Sequence, residues 1–370
     1  LSSSPCNSLR DIEPNLPLPR LINGLPSFIG TMDRKMIRSG HPGTIRLWLS
    51  ILSIYRILSG PLSPKINTIT DKYTGDYDII KRIISVSNDV YNFNVKERVI
   101  TPISFKRLAA NDITKSVSAG PNGPVAVTRI ITDAIAMAKY PEIYEPYLAY
   151  CKITGSRIFE MLNHSITFAF DMITKYGTDW VNKSSSISFD DIALGKLSFK
   201  EESAGKLRIF AICDIWTQSL FLPLHDELFK FLESLPNDGT FDQDKAFERA
   251  MEKSQLYNCG YSVDLSSATD RLPIDLQVGI LDFMSGKPIG KLWKDILVLR
   301  PYMVRKNDYI KDLDYVHYNT GQPMGCLSSW AMLAVTHHFI LQTCAFHVYG
   351  TRRWFDKYEI LGDDLVIFDK

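Results

Sequence analysis

Apolar positions from Thr217 to Leu235 recur at helical spacing, with Leu220, Phe221, Leu224, Leu228 and Phe231 on one face. A second helical pattern runs from Ala331 to Phe346, and a third from Val125 to Ala138, closed by Pro141. Residues 141–178 read as mostly helical, and residues 44–58 as a core helix. Residues 78–95 mix both periods and give no assignment. Lys196 to Ile212 alternates as two strands around a loop at Glu201–Gly205. From Asn258 onward the pattern becomes strand, helix, strand, helix, strand. At the end, Tyr358 to Asp369 reads as strand, tight turn, strand, with Gly362, Asp363 and Asp364 at the turn. Breaks fall at the Pro- and Gly-rich stretch 1–43, expected to wrap over the surface, at Pro61–Pro64, and at the dense turn cluster Ser118–Pro124. The fold class expected is α+β.

Composition narrows the class. The 370 residues are 45% hydrophobic and 22% charged, enough for a large packed core and unlike a disordered chain. A net charge of +1 means that any polyanion must be met by locally concentrated cations. No run reaches the ~20 apolar residues of a membrane span; Thr44–Leu58 is too short and carries Arg46 and Arg56. Six scattered cysteines and seven histidines lack zinc spacing, so the cysteines are expected to be reduced, buried thiols.

Candidate chemistry lies in acids at strand ends. Asp264 closes the short strand Tyr261–Asp264, while Asp363 and Asp364 occupy the distant hairpin turn. Adjacent strands would bring three carboxylates together. Such a set suits a pair of divalent cations ~3.5–4 Å apart, the equipment of nucleotidyl transfer. Magnesium, two ions with manganese as the substitute, fits carboxylates shared with water and phosphate. Asp270 opens the following helix, placed to accept from a ribose 2′-hydroxyl, the group that tells RNA from DNA. Gly321 and Gly325 bracket a loop for template or backbone approach, and Ser328 or Ser329 follows as a partner for the sugar. Lys200, Lys206 and Arg208 are candidates for a triphosphate, with Lys206 and Arg208 on one strand face. Arg34, Lys35, Arg38 and Arg46 form a weaker candidate for template backbone, and Trp330, Trp354 and Phe355 read as core rather than base platforms.

The order decides. A basic strand (196–208), Asp-x₅-Asp (264–270), a Gly-rich loop with serines (321–329) and Gly-Asp-Asp (362–364) resemble motifs F, A, B and C of viral RNA-dependent RNA polymerases. The wording is most similar to the mitovirus branch: Ser118–Asn122, Leu197–Glu202, Ala204–Lys206, Asp214–Gln218, Val263–Asp270, Gly321–Gly325, Ser328–Trp330 and Leu361–Asp364.

The resemblance implies a right-hand fold with fingers and a partial palm. The N-terminal region would span 1–117, fingers 118–257 and palm 258–370, with a fingers-like insertion at about 287–318. It implies RNA template, nascent RNA and nucleoside triphosphates as partners, magnesium as cofactor, and a fungal or plant host mitochondrion as the location. Asp264 and Asp363 would be the main metal ligands and Asp364 an auxiliary one. The family pattern continues past Gly-Asp-Asp into a lysine-bearing motif D, motif E and a thumb, so the chain is expected to be a fragment. Two rivals stand beside this reading. A reverse transcriptase would carry an aromatic gate where Asp270 stands, and a genome-integrated remnant would bind RNA without catalysis.

Overall fold

The computed structural model describes residues 20–57, 62–202, 206–305, 309–310 and 313–369. The first 19 residues with Cys6, the break at Pro61, the loop centre Ser203–Gly205 and parts of the 287–318 insertion lie outside these. The chain divides into two compact units, one formed by Leu1–Leu62 and Glu201–Lys206, the other by Ser63–Lys200 and Leu207–Lys370.

In the first unit, a hairpin of Leu21–Ile22 (β1) and Leu25–Pro26 (β2) precedes helices Thr31–Arg38 (α1) and Pro42–Ser53 (α2). Trp48 Nε1 donates to Asp33 at 3.0 Å and joins the helices. Two bases suggested for template contact are committed here. Arg34 is buried and donates to the carbonyls of Ser27 and Ile29, while Arg38 donates to the carbonyl of Ile22 at 2.8 Å. The core-helix expectation for 44–58 is corrected: Leu47, Leu49, Ile51, Leu52 and Ile54 are exposed. A helix apolar on every side has more apolar surface than one partner helix covers.

The second unit holds the main core. After the short turn Asn67–Thr70 (α3), the unassigned stretch becomes a 20-residue helix, Tyr77–Lys96 (α4), capped by Asp76. Ile130–Ala138 (α5) stops before Pro141. That proline then opens Pro141–Thr154 (α6), where its missing N–H costs nothing. Ile158–Tyr176 (α7) and Asp179–Ser185 (α8) follow. Gly195–Glu202 (β3) and Lys206–Cys213 (β4) match the expected strand pair. With the two-residue strands Tyr302–Met303 (β6) and Tyr315–Val316 (β7) they form a sheet of order β4-β3-β6-β7.

Ile215–Glu233 (α9) buries the predicted face, with Leu220, Phe221, Leu224 and Leu228 inaccessible. Gln243–Tyr257 (α10) went unpredicted, since its apolar residues are sparse. Then come Tyr261–Asp264 (β5), Ala268–Arg271 (α11), Ile274–Ser285 (α12), Gly290–Val298 (α13), Ser329–Tyr349 (α14), Tyr358–Leu361 (β8) and Asp364–Ile367 (β9). Mixed helix and sheet is thus the observed class.

A buried polar network joins the turn cluster to the helical core. Asn122 exchanges bonds of 2.9 Å with the backbone of Ala193 and donates to Asp133 at 2.7 Å. Asp214 caps α9 through the Thr217 N–H at 2.9 Å and pairs with Arg300 at 2.6 Å, both side chains inaccessible. Arg300 also donates to Ile296 and Thr217, so its fork is nearly spent. The expectation of reduced, buried cysteines holds at Cys151 and is corrected elsewhere: Cys259 is half-buried and Cys344 exposed, and one pair is oxidised. Cys213 and Cys326 form a disulfide with Cα atoms 5.9 Å apart. A separation of 113 residues hid the pairing; the Ala211 N–H bond to the Met324 carbonyl, 2.7 Å, brings the segments together.

Two stability outcomes follow from the network. Asp214→Ala leaves the Arg300 guanidinium buried without its anion and is expected to cost about 3–5 kcal/mol in urea unfolding; a loss under 1 kcal/mol would show the pair to be dispensable. Asp133 accepts two N–H bonds, yet burial, with Asp214 close by, pushes its carboxyl up to about 8. A folded-state value above the unfolded 3.8 means that the native state binds the extra proton, so this stabilisation is lost as pH rises from about 4 to about 8. Urea midpoints between pH 5 and 8 are expected to slope downward for the parent and less steeply for Asp133→Asn.

Candidate active site

The three-stranded sheet has the order β5-β9-β8, all antiparallel. Register places Asp264 opposite Asp364, and Leu361 opposite Asp364 across the hairpin. Directly opposed residues put their Cβ atoms on the same face, ~4.5–5.5 Å apart. Gly362, at φ +63°, and Asp363 form the two-residue turn. Gly at the first central position with φ > 0 is the II′ pattern that matches strand twist. The hairpin expected from sequence is present, and Asp264 lies beside it.

Asp264 and Asp364 are exposed and Asp363 is half-buried. Burial, then the charges of Asp363 and Asp264, raise the Asp364 carboxyl above its ordinary range, with His337 offsetting part of the effect. Three anions crowd one end of the sheet, and a cation there would relieve their repulsion. Among the described residues no three acidic, His or Cys side chains close into a preformed metal cage. The donor set fits magnesium, which takes one or two carboxylates and completes its shell with water and substrate phosphates.

The turn is braced from beneath by α14. His337, whose imidazole burial holds below its ordinary range, donates from Nδ1 to the Gly362 carbonyl at 2.9 Å. The His338 ring bonds the Tyr358 hydroxyl at 2.8 Å and Asp238 at 3.1 Å. On the outer side, buried Glu359 receives Arg249 at 2.7 Å and Lys253 at 2.8 Å from α10. The edge of β8 is covered by Asn237–Gly239, with Ile360 N donating to Asn237 O and Gly239 N to Ile360 O. Trp330, expected in the core, is partly exposed and lies against Gly362.

Asp270 is mostly buried, which raises its carboxyl, and accepts from the Thr68 hydroxyl at 2.7 Å. Gly321 and Gln322 donate to the Asp270 and Thr269 carbonyls, each at 2.9 Å. A Cβ on Gly321 would collide with both carbonyls, so the Gly-rich loop and the Asp-x₅-Asp segment meet only through glycine. Gly325 lies against the Ala211 carbonyl. Ser328 is inaccessible, its hydroxyl accepting from Trp293 Nε1 at 2.8 Å. Ser329, also buried, keeps an unspent hydroxyl among the described residues. Lys200, Lys206 and Arg208 are exposed, but on the other sheet. Thr68, His337 and His338 escaped sequence reading. Their partners lie up to about 200 residues away, and nothing local marks them.

A family described as Mitovirus RNA-dependent RNA polymerase matches residues 106–370. The chain belongs to that family. It is 34% identical over 323 residues to the RNA-directed RNA polymerase of Cryphonectria parasitica mitovirus 1, an alignment covering 86% of this chain and 37% of the relative. Two Arabidopsis thaliana proteins, described as uncharacterized mitochondrial proteins, are each 30% identical, over 145 and 141 residues. These alignments take in 38% and 37% of this chain and 55% and 65% of the relatives. The chain therefore spans less than two thirds of the length of each of these relatives. In this mitovirus-family chain, Gly321→Ala is expected to separate the motif A and motif B segments at a cost of about 1–3 kcal/mol. A urea midpoint unchanged from the parent would refute that close approach.

Proposed function

We propose that this chain carries the catalytic core of an RNA-directed RNA polymerase, arranged as fingers and a partial palm of the right-hand fold. Residues 1–117 are the N-terminal region, 118–257 the fingers and 258–370 the palm, with the insertion at about 287–318. The observation that carries the reading is the in-register meeting of Asp264 and Asp364 with Asp363 at the adjoining turn. Like charges this close disfavour one another's ionised form, and a cation between them would reverse that effect.

Asp264 and Asp363 are assigned as the main ligands of two magnesium ions and Asp364 as the auxiliary one; manganese is accepted in their place. When bound, the ions supply activation of a 3′-hydroxyl and neutralisation of the leaving pyrophosphate. The chain's own part is positioning. His337 holds the turn by its carbonyl, and the salt bridges to Glu359 fix the strand behind it. Lys200, Lys206 and Arg208 are assigned to the triphosphate, where fixed cations offset its charge. Asp270 is assigned to the ribose 2′-hydroxyl, which favours ribonucleotides over the deoxynucleotides of a reverse transcriptase. Of the two serines, Ser329 is the better sugar partner, because Ser328 is committed to Trp293. Gly321 and Gly325 shape the loop facing the template. RNA template, nascent RNA and nucleoside triphosphates are the partners. No helix among the described residues is long and apolar enough to cross a membrane. A mitochondrial location is supported by the two plant relatives, which are described as mitochondrial.

In primer extension by the full-length protein on an RNA template with magnesium, Asp363→Asn is expected to lower synthesis at least 100-fold, the scale of losing one electrostatic catalytic group, about 10²–10³. RNA binding in a filter assay is expected to persist. Undiminished synthesis by the variant would remove Asp363 from the mechanism. A full-length parent that binds RNA yet extends nothing would favour the non-catalytic remnant.

A further inference from the structure

The site has a contributor from outside the stretch matched by the family. Residues 67–71 lie as a strap over the junction of α11 with the loop before α14. Ile69 is completely buried, and its carbonyl accepts from the Asn319 N–H at 3.1 Å. The Asn319 side chain donates to the Thr70 carbonyl at 2.5 Å. Asp71 offers its carbonyl to both Thr320 Oγ1, at 2.7 Å, and Arg271 Nη1, at 2.6 Å. The strap thus bonds to both segments that meet at Gly321. It sets down one polar side chain at their junction: Thr68, whose hydroxyl lies 2.7 Å from Asp270 Oδ2 and 2.8 Å from the Lys65 carbonyl.

A hydroxyl has one proton to donate. With Asp270 ionised, the charge-assisted bond to the carboxylate is the stronger of the two. A carboxylate otherwise turns about its terminal torsion with little preference. Fixing Oδ2 therefore fixes Oδ1.

We propose that Thr68 is a positioning residue for sugar selection: its hydroxyl holds one oxygen of Asp270 and so aims the other at the nucleotide's 2′-hydroxyl. The proposal rests on the polymerase reading and adds to it a residue from the N-terminal region. Thr68 touches no substrate; it acts through Asp270. The strap's backbone bonds would survive its replacement, because they run through Ile69, Thr70 and Asp71. The loss then falls on carboxylate orientation and spares the chain path.

The test compares equilibrium binding of ATP and 2′-deoxy-ATP to the whole chain with magnesium and a primed RNA template. The primer ends in a 3′-deoxynucleotide, so binding is read without turnover. The parent is expected to prefer ATP. Thr68→Ser, which keeps the hydroxyl, is expected to retain that preference. Thr68→Ala is expected to lose about tenfold of it, the worth of a hydrogen bond to a charged group, through weaker ATP binding and unchanged 2′-deoxy-ATP binding. A merely structural role would weaken both nucleotides alike. Should urea unfolding show that the alanine variant has lost its fold, Thr68→Val, of nearly the same shape, carries the comparison. A hydroxyl-free variant that is folded and keeps the parent's ratio overturns the proposal. A parent that binds both nucleotides equally removes the sugar role of Asp270 and this proposal with it, while the three carboxylates still answer to the extension assay.

Discussion

The pairing of β5 with β9 is the constraint on which the site depends. Asp264 and Asp364 are 100 positions apart, and only the register of two four-residue strands brings them opposite each other. A shift by one residue would turn every side chain of β5 to the other face and carry Asp264 away from its partner. Much of the surrounding structure guards that register. The II′ turn ends the β8–β9 hairpin at a fixed point, α14 holds the turn by a carbonyl and the strand by a tyrosine hydroxyl, and α10 grips Glu359 with two cations. Anion repulsion at the sheet end is thereby carried by a scaffold whose own polar groups are largely satisfied.

The second support is the network of Asn122, Asp133, Asp214 and Arg300. It connects the 118–124 turn cluster, which lies outside the sheet, to the end of β4 and the residues before β6, whose strands are joined through β3. Buried charges of this kind add little net stability when intact and cost much when broken. Their use here is to fix which segments adjoin. The same region carries the disulfide from Cys213 to Cys326, so the basic strand and the loop before α14 are tied covalently as well as by the Ala211–Met324 bond.

Legibility in the sequence followed locality. The hairpin at 358–367 was plain because turn chemistry and alternation coincide within ten residues, and α9 because five apolar side chains keep one helical face. The strand pair around 201–205 was equally visible. Residues 78–95 defeated assignment because the buried face of α4 includes the polar Ser87 and Asn94 while apolar Ile79 is exposed, so residue type does not mark the face. The α2 region misled because apolar character all round reads as burial, whereas in the structure much of it faces solvent. At the site, the acids announced themselves by position at strand ends. The bonds of Ser328 to Trp293 and of Asp270 to Thr68 were not legible; both contacts cross long separations that no local pattern records.

The two outer strands of the small sheet differ in one respect. The free side of β8 is closed by the 237–239 segment and clamped by α10, whereas β5 has a ladder neighbour on one side alone and shows solvent on both faces. Among the described residues the β8–β9 hairpin is therefore the fixed half of the set: it carries two of the three acids and is held from α10, from α14 and along its edge. The position of Asp264 is set through its ladder to β9, so the spacing of the third acid from the other two is read directly from four backbone pairings.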